Sequence, residues 1–343
     1  MAYTTINKPS DHFETKIWTG NGSSQDISLD FAPDWNWIKQ RSATRYHNLQ
    51  DTIRGTGLQL FSNTTSADNS DGTNITAFNS DGYSLGAGDN VNKNTSTYVG
   101  WSWKAGGSAS SNSDGNITSS VSVNTTAGFS IVSYTGTGGG KTVGHGLGVA
   151  PRVFFMKNRG SADYNWSVWH ADLATPTTAR LGLNVATAQQ NHSSYWNDGV
   201  PSATILNLGS DAGHNANGDT YIAYCFAEKK GYSKFGTYEG NGNDDGPFIY
   251  TGFAPAFVIV KCFDQGEHWN MYDNKRGSSL ALSPNLEVAD RAMDDSPAME
   301  LLSNGFKIRT SDNNLSNAAD GFIYMAFAAE PFVTSKGVPA TAK

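Results

Sequence analysis

Disulfide chemistry has almost nothing to work with in this chain. Cys225 and Cys262 are the only cysteines, and each sits inside an apolar run, YIAYCFAE and FVIVKCFD. Two such thiols predict buried free cysteines acting as small hydrophobes, not a disulfide scaffold. Charge is scarce as well: 16% of residues, with 24 Lys plus Arg against 31 Asp plus Glu and a net charge of -7. Without a Lys/Arg cluster the chain lacks the positive stripe that displaces counterions, so no nucleic-acid partner is expected. No stretch approaches about eighteen consecutive apolar residues, and the start, MAYTTINKPSDHFETK, lacks the basic-then-apolar pattern of a secretory signal. A soluble protein without membrane insertion is expected. Helical periodicity is also missing. The only helical candidates are short, Leu286 to Met293 and parts of LATPTTARL.

What the chain has in quantity is glycine, 37 residues, with Asn, Ser and Thr throughout. Such residues suit many short strands joined by tight turns. One glycine-rich stretch, SYTGTGGGKT from Ser133 to Thr142, resembles a phosphate-binding loop. The pattern fails where its first glycine should stand, at Thr135, and the following VGHGLGVAP cannot make the helix such a loop must open.

Internal repetition accounts for the glycines better. IWTGNGSSQDISLDFAPDWNWIKQR, SYTGTGGGKTVGHGLGVAPRVFFMKNR and TYEGNGNDDGPFIYTGFAPAFVIVKCF share one layout. An aromatic residue (Trp18, Tyr134, Tyr238) precedes two spaced glycines. An Ala-Pro pair follows, and a lysine stands six residues beyond each proline, at Lys39, Lys157 and Lys261. Each stretch closes on an apolar strand, YVGWSW, YIAYCF or FIYMAF. The spacing divides the chain into an N-terminal arm at 1–16, repeats at 17–104, 129–230 and 235–332, a Gly/Ser-rich linker or hairpin at 105–128, and a tail at 333–343. Period-two runs rich in β-branched and aromatic residues predict an all-β fold of three tandem antiparallel β-sandwich, jelly-roll or lectin-like repeats. The polar arm is expected to be disordered alone or to add a strand to a neighbour.

No histidine pair forms HxxxH or HExxH among the seven present, so no metal site is nominated. His47 and His170 fall near equivalent points of two repeats, with Tyr272 in the third, which points to packing. Asp51 with Arg54, and Asp273 with Arg276, are read as structural turn pairs, since a guanidinium fixes a carboxylate's geometry. The second repeat has lost the pair and carries Asp172 nearby. Asp68, Asp71, Asp244, Asp245, Asp294, Asp295, Asp312 and Asp320 lie in loops where calcium would find oxygens, but without the twelve-residue spacing. The expectation is no cofactor, with calcium the alternative. Tyr195 and Trp196, in the polar turn NHSSYWNDG, are the candidate recognition residues, because a sugar ring stacks on an exposed aromatic face. No catalytic residue is nominated, and the chain is not expected to be an enzyme.

The phrases KPSDHFETKIWTGNG, FAPDWNWIKQR, YVGWSWKAGG, HGLGVAPRVFFMKNR, GYSKFGTYEGNGNDDGPFIYTGF and SNGFKIRT resemble a family of marine tailed-bacteriophage proteins, virion structural or tail-fibre-like, with repeated concanavalin-like modules. The resemblance runs from Lys8 to Phe332. It implies a virion location, partnership with other virion proteins and with itself as a homo-oligomer, trimer foremost, and contact with a host-surface glycan. Capsid decoration is the alternative it leaves open, and a glycan-degrading enzyme a lesser one.

Overall fold

The computed structural model describes residues 4–292 and 297–331. Its fold is all-β with several antiparallel sheets. The first stretch contains β1 (Phe13–Thr19), β2 (Gln25–Ser28), β3 (Trp35–Gln40), β4 (His47–Asp51), β5 (Leu58–Phe61), β6 (Asn69–Ser70), β7 (Ile75–Asn79), β8 (Gly82–Leu85), the single-turn α1 (Asp89–Asn92) and β9 (Thr97–Trp103). The second has β10 (Ser110–Asn112), β11 (Ser119–Asn124), β12 (Phe129–Thr135), β13 (Lys141–Gly144), β14 (Val153–Asn158), β15 (Ser167–His170), β16 (Ala179–Gly182), β17 (Gln190–Asn191), β18 (Ile205–Leu208), α2 (Ala212–Asn215) and β19 (Thr220–Phe226). The third has β20 (Ser233–Glu239), β21 (Phe248–Tyr250), β22 (Phe253–Cys262), β23 (Asn270–Asp273), β24 (Leu280–Ala281), β25 (Arg291–Ala292), β26 (Met299–Leu302), β27 (Gly305–Ile308), α3 (Asn313–Ser316) and β28 (Gly321–Pro331).

One strand order recurs in the large sheets: β1-β9-β3-β4, β12-β19-β14-β15 and β20-β28-β22-β23. Smaller sheets, β2-β8-β7, β13-β18 and β21-β27-β26, accompany them. Three hydrophobic clusters each join one small sheet to its large one, for example Ile27, Tyr83 and Leu85 with Ile38 and Tyr98. Their counterparts hold Val143 and Leu206 with Val132 and Met156, and Ile249 and Phe306 with Val258 and Tyr324. A fourth cluster draws on all three stretches at once. In it Trp35 stacks on Tyr224 at 4.3 Å and on Trp103 at 4.5 Å, and Phe13 on Phe327 at 5.2 Å. Fully burying rings of this size supplies a few kcal/mol each, so this shared centre ties the three stretches into one body.

The repeated glycines have a steric cause. A Cβ on Gly20, Gly136 or Gly240 would lie 2.3, 2.2 or 2.2 Å from the carbonyl oxygen of Lys93, Ala216 or Asn317, where each short helix ends. The chain must pass flush against that end, so no side chain fits. SYTGTGGGKT is therefore the end of β12, its turn and the start of β13.

Several expectations are corrected. Residues 286–290 form no helix and no strand, and Asp290 is drawn across to Arg41 and Arg276; Met293 lies outside the described residues. The described part of the arm is ordered by packing: Ile6 and Phe13 are buried in the shared core. Within 105–128 the chain follows the hairpin alternative: β10 and β11 pair antiparallel and extend the second large sheet from β12. The tail at 333–343 lies outside the described residues. Cys225 and Cys262 are buried free thiols, and among the described residues no helix is long and apolar enough to cross a membrane.

Candidate functional site

The repeated lysines occupy a buried position at the end of β3, β14 and β22. Lys39, Lys157 and Lys261 are all fully buried. Each ammonium donates to the carbonyl of the next residue, Gln40 at 2.6 Å, Asn158 at 2.7 Å and Cys262 at 2.5 Å. Each also donates to the carbonyl four residues on, that of Ala43, Ser161 or Gln265 at 3.3 to 3.4 Å. A third carbonyl, of Tyr164 or Ala186, completes two of these cages. The lysine thus satisfies carbonyls that the turn after the strand leaves inward, a role no apolar residue can fill. Burial lowers all three to about 8.

The two Asp–Arg turns form a second recurring device. Arg54 Nε donates to Asp51 at 2.5 Å and Nη2 to the Leu49 carbonyl; Arg276 repeats this with Asp273 at 2.6 Å and the Met271 carbonyl. Each carboxylate also accepts from a neighbouring stretch: Asp51 from the Tyr224 hydroxyl at 2.7 Å, Asp273 from Trp101 Nε1 at 3.2 Å. Asp68 then bridges Arg54 to Arg159, and Asp290 bridges Arg276 to Arg41. Both side chains of each Asp–Arg pair are fully buried, so these groups face one another and not a ligand.

The register changes how the histidines align. Trp35 faces Asp51, Phe257 faces Asp273 and Val153 faces His170. His170 therefore stands where the other stretches carry aspartate, and His47 does not correspond to it. Like Asp51, which accepts from the Arg54 amide, His170 accepts through Nδ1 from the Asp172 amide. Burial pushes His170 down to about 4, against the nearby Asp172 carboxylate. Asp172 itself pairs with Arg152 at 2.5 Å, with both side chains about one third exposed.

Tyr195 and Trp196 do not present recognition faces. Trp196 is 1% exposed, donates to the Ala179 carbonyl and meets Phe154 edge to face. Tyr195 is buried under the Arg180 guanidinium, 4.1 Å from its ring centre. The calcium candidates are likewise engaged: Asp68 by two arginines, Asp71 by Thr73 and Asn74, Asp244 by the Ser311 amide, Asp245 by Lys307, Asp312 by the Asn314 amide and Asp320 by Asn317. Asp294 and Asp295 lie outside the described residues. Among the described residues no three His, Cys, Asp or Glu side chains converge as a metal site.

The exposed aromatic face lies elsewhere, in a groove of about 630 Å³ between β20 and β21. Both strands are sheet edges. Phe248 and Tyr250 are 46% and 49% exposed, and Lys234 reaches over the Tyr250 ring at 5.7 Å. Gly236 and Tyr238 form the floor, and Arg152 with Asp172 one end. Burial raises the Tyr324 hydroxyl there above the ordinary phenol range. Two open rings, an ammonium and a strand edge that no strand among the described residues covers suit an elongated ligand held by contact and backbone hydrogen bonds. The sequence signal was available in FIYTGF, whose alternation around buried Ile249 turns Phe248 and Tyr250 outward.

No curated protein matches the chain. Residues 8–331 match the family model described as a domain of unknown function, DUF7483, and the chain belongs to that family.

Proposed function

We propose that this chain is a structural protein of a phage virion, tail-fibre-like and contributing to attachment, built as three β-sandwich repeats closed in a ring about a pseudo-threefold axis. One observation carries the ring. The Asp68 amide donates to the Arg159 carbonyl, Gln189 to Phe263 and Asp290 to Arg41, at 3.0, 2.8 and 2.8 Å. These link repeat one to two, two to three and three back to one, with equivalent residues at each junction. Trp166 donating to the Phe61 carbonyl and Trp269 to the Gly182 carbonyl support the same cycle.

A closed ring makes every repeat lean on two others, which suits a part that must hold its shape under load. Its threefold outline in a single chain suits mounting on a threefold fibre or on a homotrimer of the same protein. The resemblance to marine tailed-phage fibre-like proteins supports a virion location, and the open β20–β21 groove supplies the contact to the next molecule, a host-surface glycan or another virion protein.

Mass spectrometry of gradient-purified particles, followed by cryo-electron microscopy, tests the reading. The expected result is a stoichiometric chain with ring-shaped density on the tail. Density over the head makes it a decoration protein, and absence from purified particles overturns the virion reading.

A further inference from the structure

The three repeats treat one sheet edge in three different ways. Registers against the closing strands β9, β19 and β28 align Lys16 with Val132 and Gly236, and Glu14 with Ser130 and Lys234. In the first repeat the edge strand β1 carries the Glu14–Lys16 ion pair at 2.6 Å, the kind of charge that discourages another strand. In the second the edge is covered: β11 pairs antiparallel with β12, setting Val121 opposite Val132 and Val123 opposite Ser130. Just before β11, Ile117 bridges to Val143 of β13, so the segment spans the gap between large and small sheet. Val121 is buried in that repeat's own core. The third repeat has the same gap, between β20 and β21, and among the described residues only the isolated bridge of Lys229 to Ser233 touches its β20 edge, at the start of the strand.

Two details mark this edge as ready for a strand. The Phe235 amide, at the position that Ser122 opposes in the second repeat, is held by the Glu228 carboxylate at 3.3 Å. A side chain thus occupies an outward donor that a strand's carbonyl would take. Gly236 replaces Val132, and the Tyr324 ring lies against it, 3.0 Å from where a Cβ would stand, so an incoming side chain there meets an aromatic face; Lys234 takes the place of Ser130, which β11 sets against Val123.

We propose that the β20–β21 groove takes an extended segment of another polypeptide as an added antiparallel strand, with an apolar side chain facing Gly236 and a carboxylate facing Lys234. The proposal rests on the reading of the chain as a particle component, since strand addition joins one particle protein to the next. Phe248 and Tyr250 then cover the added strand as β13 covers the segment before β11.

The test uses the full chain and two fluorescent peptides, ITSSVSVN, which copies residues 117–124, and the same peptide carrying Val123→Asp. Anisotropy and amide hydrogen exchange are read together. The acidic peptide is expected to bind more tightly and to slow exchange at Phe235 and Thr237. Lys234→Glu should weaken it about fivefold, and Tyr250→Ser should weaken both peptides. Glu228→Gln, which frees the edge of a charged placeholder, should strengthen both. Failure of both peptides to protect β20 at millimolar concentration overturns the proposal, as does acidic-peptide binding indifferent to Lys234→Glu. Protection of β20 by a host-surface polysaccharide and not by the peptides also overturns it and makes the groove a glycan site. Particle mass spectrometry separates the two readings: peptide failure with the chain in virions sinks only strand addition, while peptide binding without the chain in virions sinks only the virion assignment.

Discussion

Replacing Lys39 by methionine removes one ammonium from its carbonyl cage while keeping the length and apolar stem of the side chain. Burial lowers the lysine to about 8 in the folded protein from its ordinary 10.5. At about 1.4 kcal/mol per pH unit, that difference is worth about 3 kcal/mol. Below pH 8 the group is charged in both states, and the cost of burying that charge is fully present. Between 8 and 10.5 the unfolded chain still holds the proton and the folded one does not, so the native protein gains stability as pH rises. The variant has no such group. Its loss of hydrogen bonds to Gln40 and Ala43 lowers stability by about 2 kcal/mol near pH 7. Urea unfolding of both proteins from pH 7 to 10.5 isolates the effect, because buried tyrosines and cysteines act equally on each. The gap in favour of the native protein should widen by about 3 kcal/mol across that range. A constant gap would refute the reasoning, as would ε-carbon NMR in which no lysine titrates near 8.

Arg54→Met and Arg276→Met should each cost about 3–5 kcal/mol in denaturant unfolding, because each strands a buried carboxylate. Removing Arg152, whose side chain is about one third exposed, should cost about 1 kcal/mol or less in the same assay. Gly136→Ala should lower the melting temperature by several degrees, of the order expected for about 2 kcal/mol, since its methyl meets the Ala216 carbonyl at 2.2 Å. Trp196→Ala should destabilise by about 3–5 kcal/mol, whereas Phe248→Ala should stay within about 0.5 kcal/mol and change only binding, a contrast read by calorimetry. Acid should weaken the fold as pH falls from about 6.5 to 4, because His170 stays neutral to about 4 when folded and takes a proton near 6.5 when unfolded. His170→Gln should flatten that part of a stability–pH curve.

Periodicity and turn residues made the strands legible, and the Ala-Pro to lysine spacing made the threefold pattern legible. The role of the lysine was not, because it depends on carbonyls four and more residues away turning toward one point. The Asp–Arg turns were readable as local pairs, but their partners Tyr224 and Trp101 lie far along the chain. Counted from its proline, His170 stands nineteen residues on, beside Asp51 and Asp273 at eighteen and away from His47 at fourteen, so its pairing with His47 followed residue type and not spacing. Tyr195 and Trp196 misled for a related reason. A turn rich in Asn, Ser and Gly marks a bend in the chain without saying which way its aromatics face, and here the Ala179 carbonyl and Phe154 draw Trp196 inward.

The junctions between the three stretches of chain are not equivalent in chemistry, and the difference falls beside the groove. Between the first and second stretches, and between the third and first, an aspartate, an arginine, a second aspartate and a second arginine form a continuous charged chain. Between the second and third the corresponding positions hold His170, Leu173, Gln189 and Phe263, with a residual gap of about 10 Å³ lined by His170 and Met325. A charged network with fixed forks holds one geometry, whereas an apolar contact with a methionine side chain tolerates small shifts at little cost. Arg152 and Asp172, freed from any counterpart of the buried network, reach the surface and close one end of the groove. The stretch without the buried charged pair is thus the one whose surface pair lines the groove. That groove lies beside the apolar junction, with which it shares Tyr324.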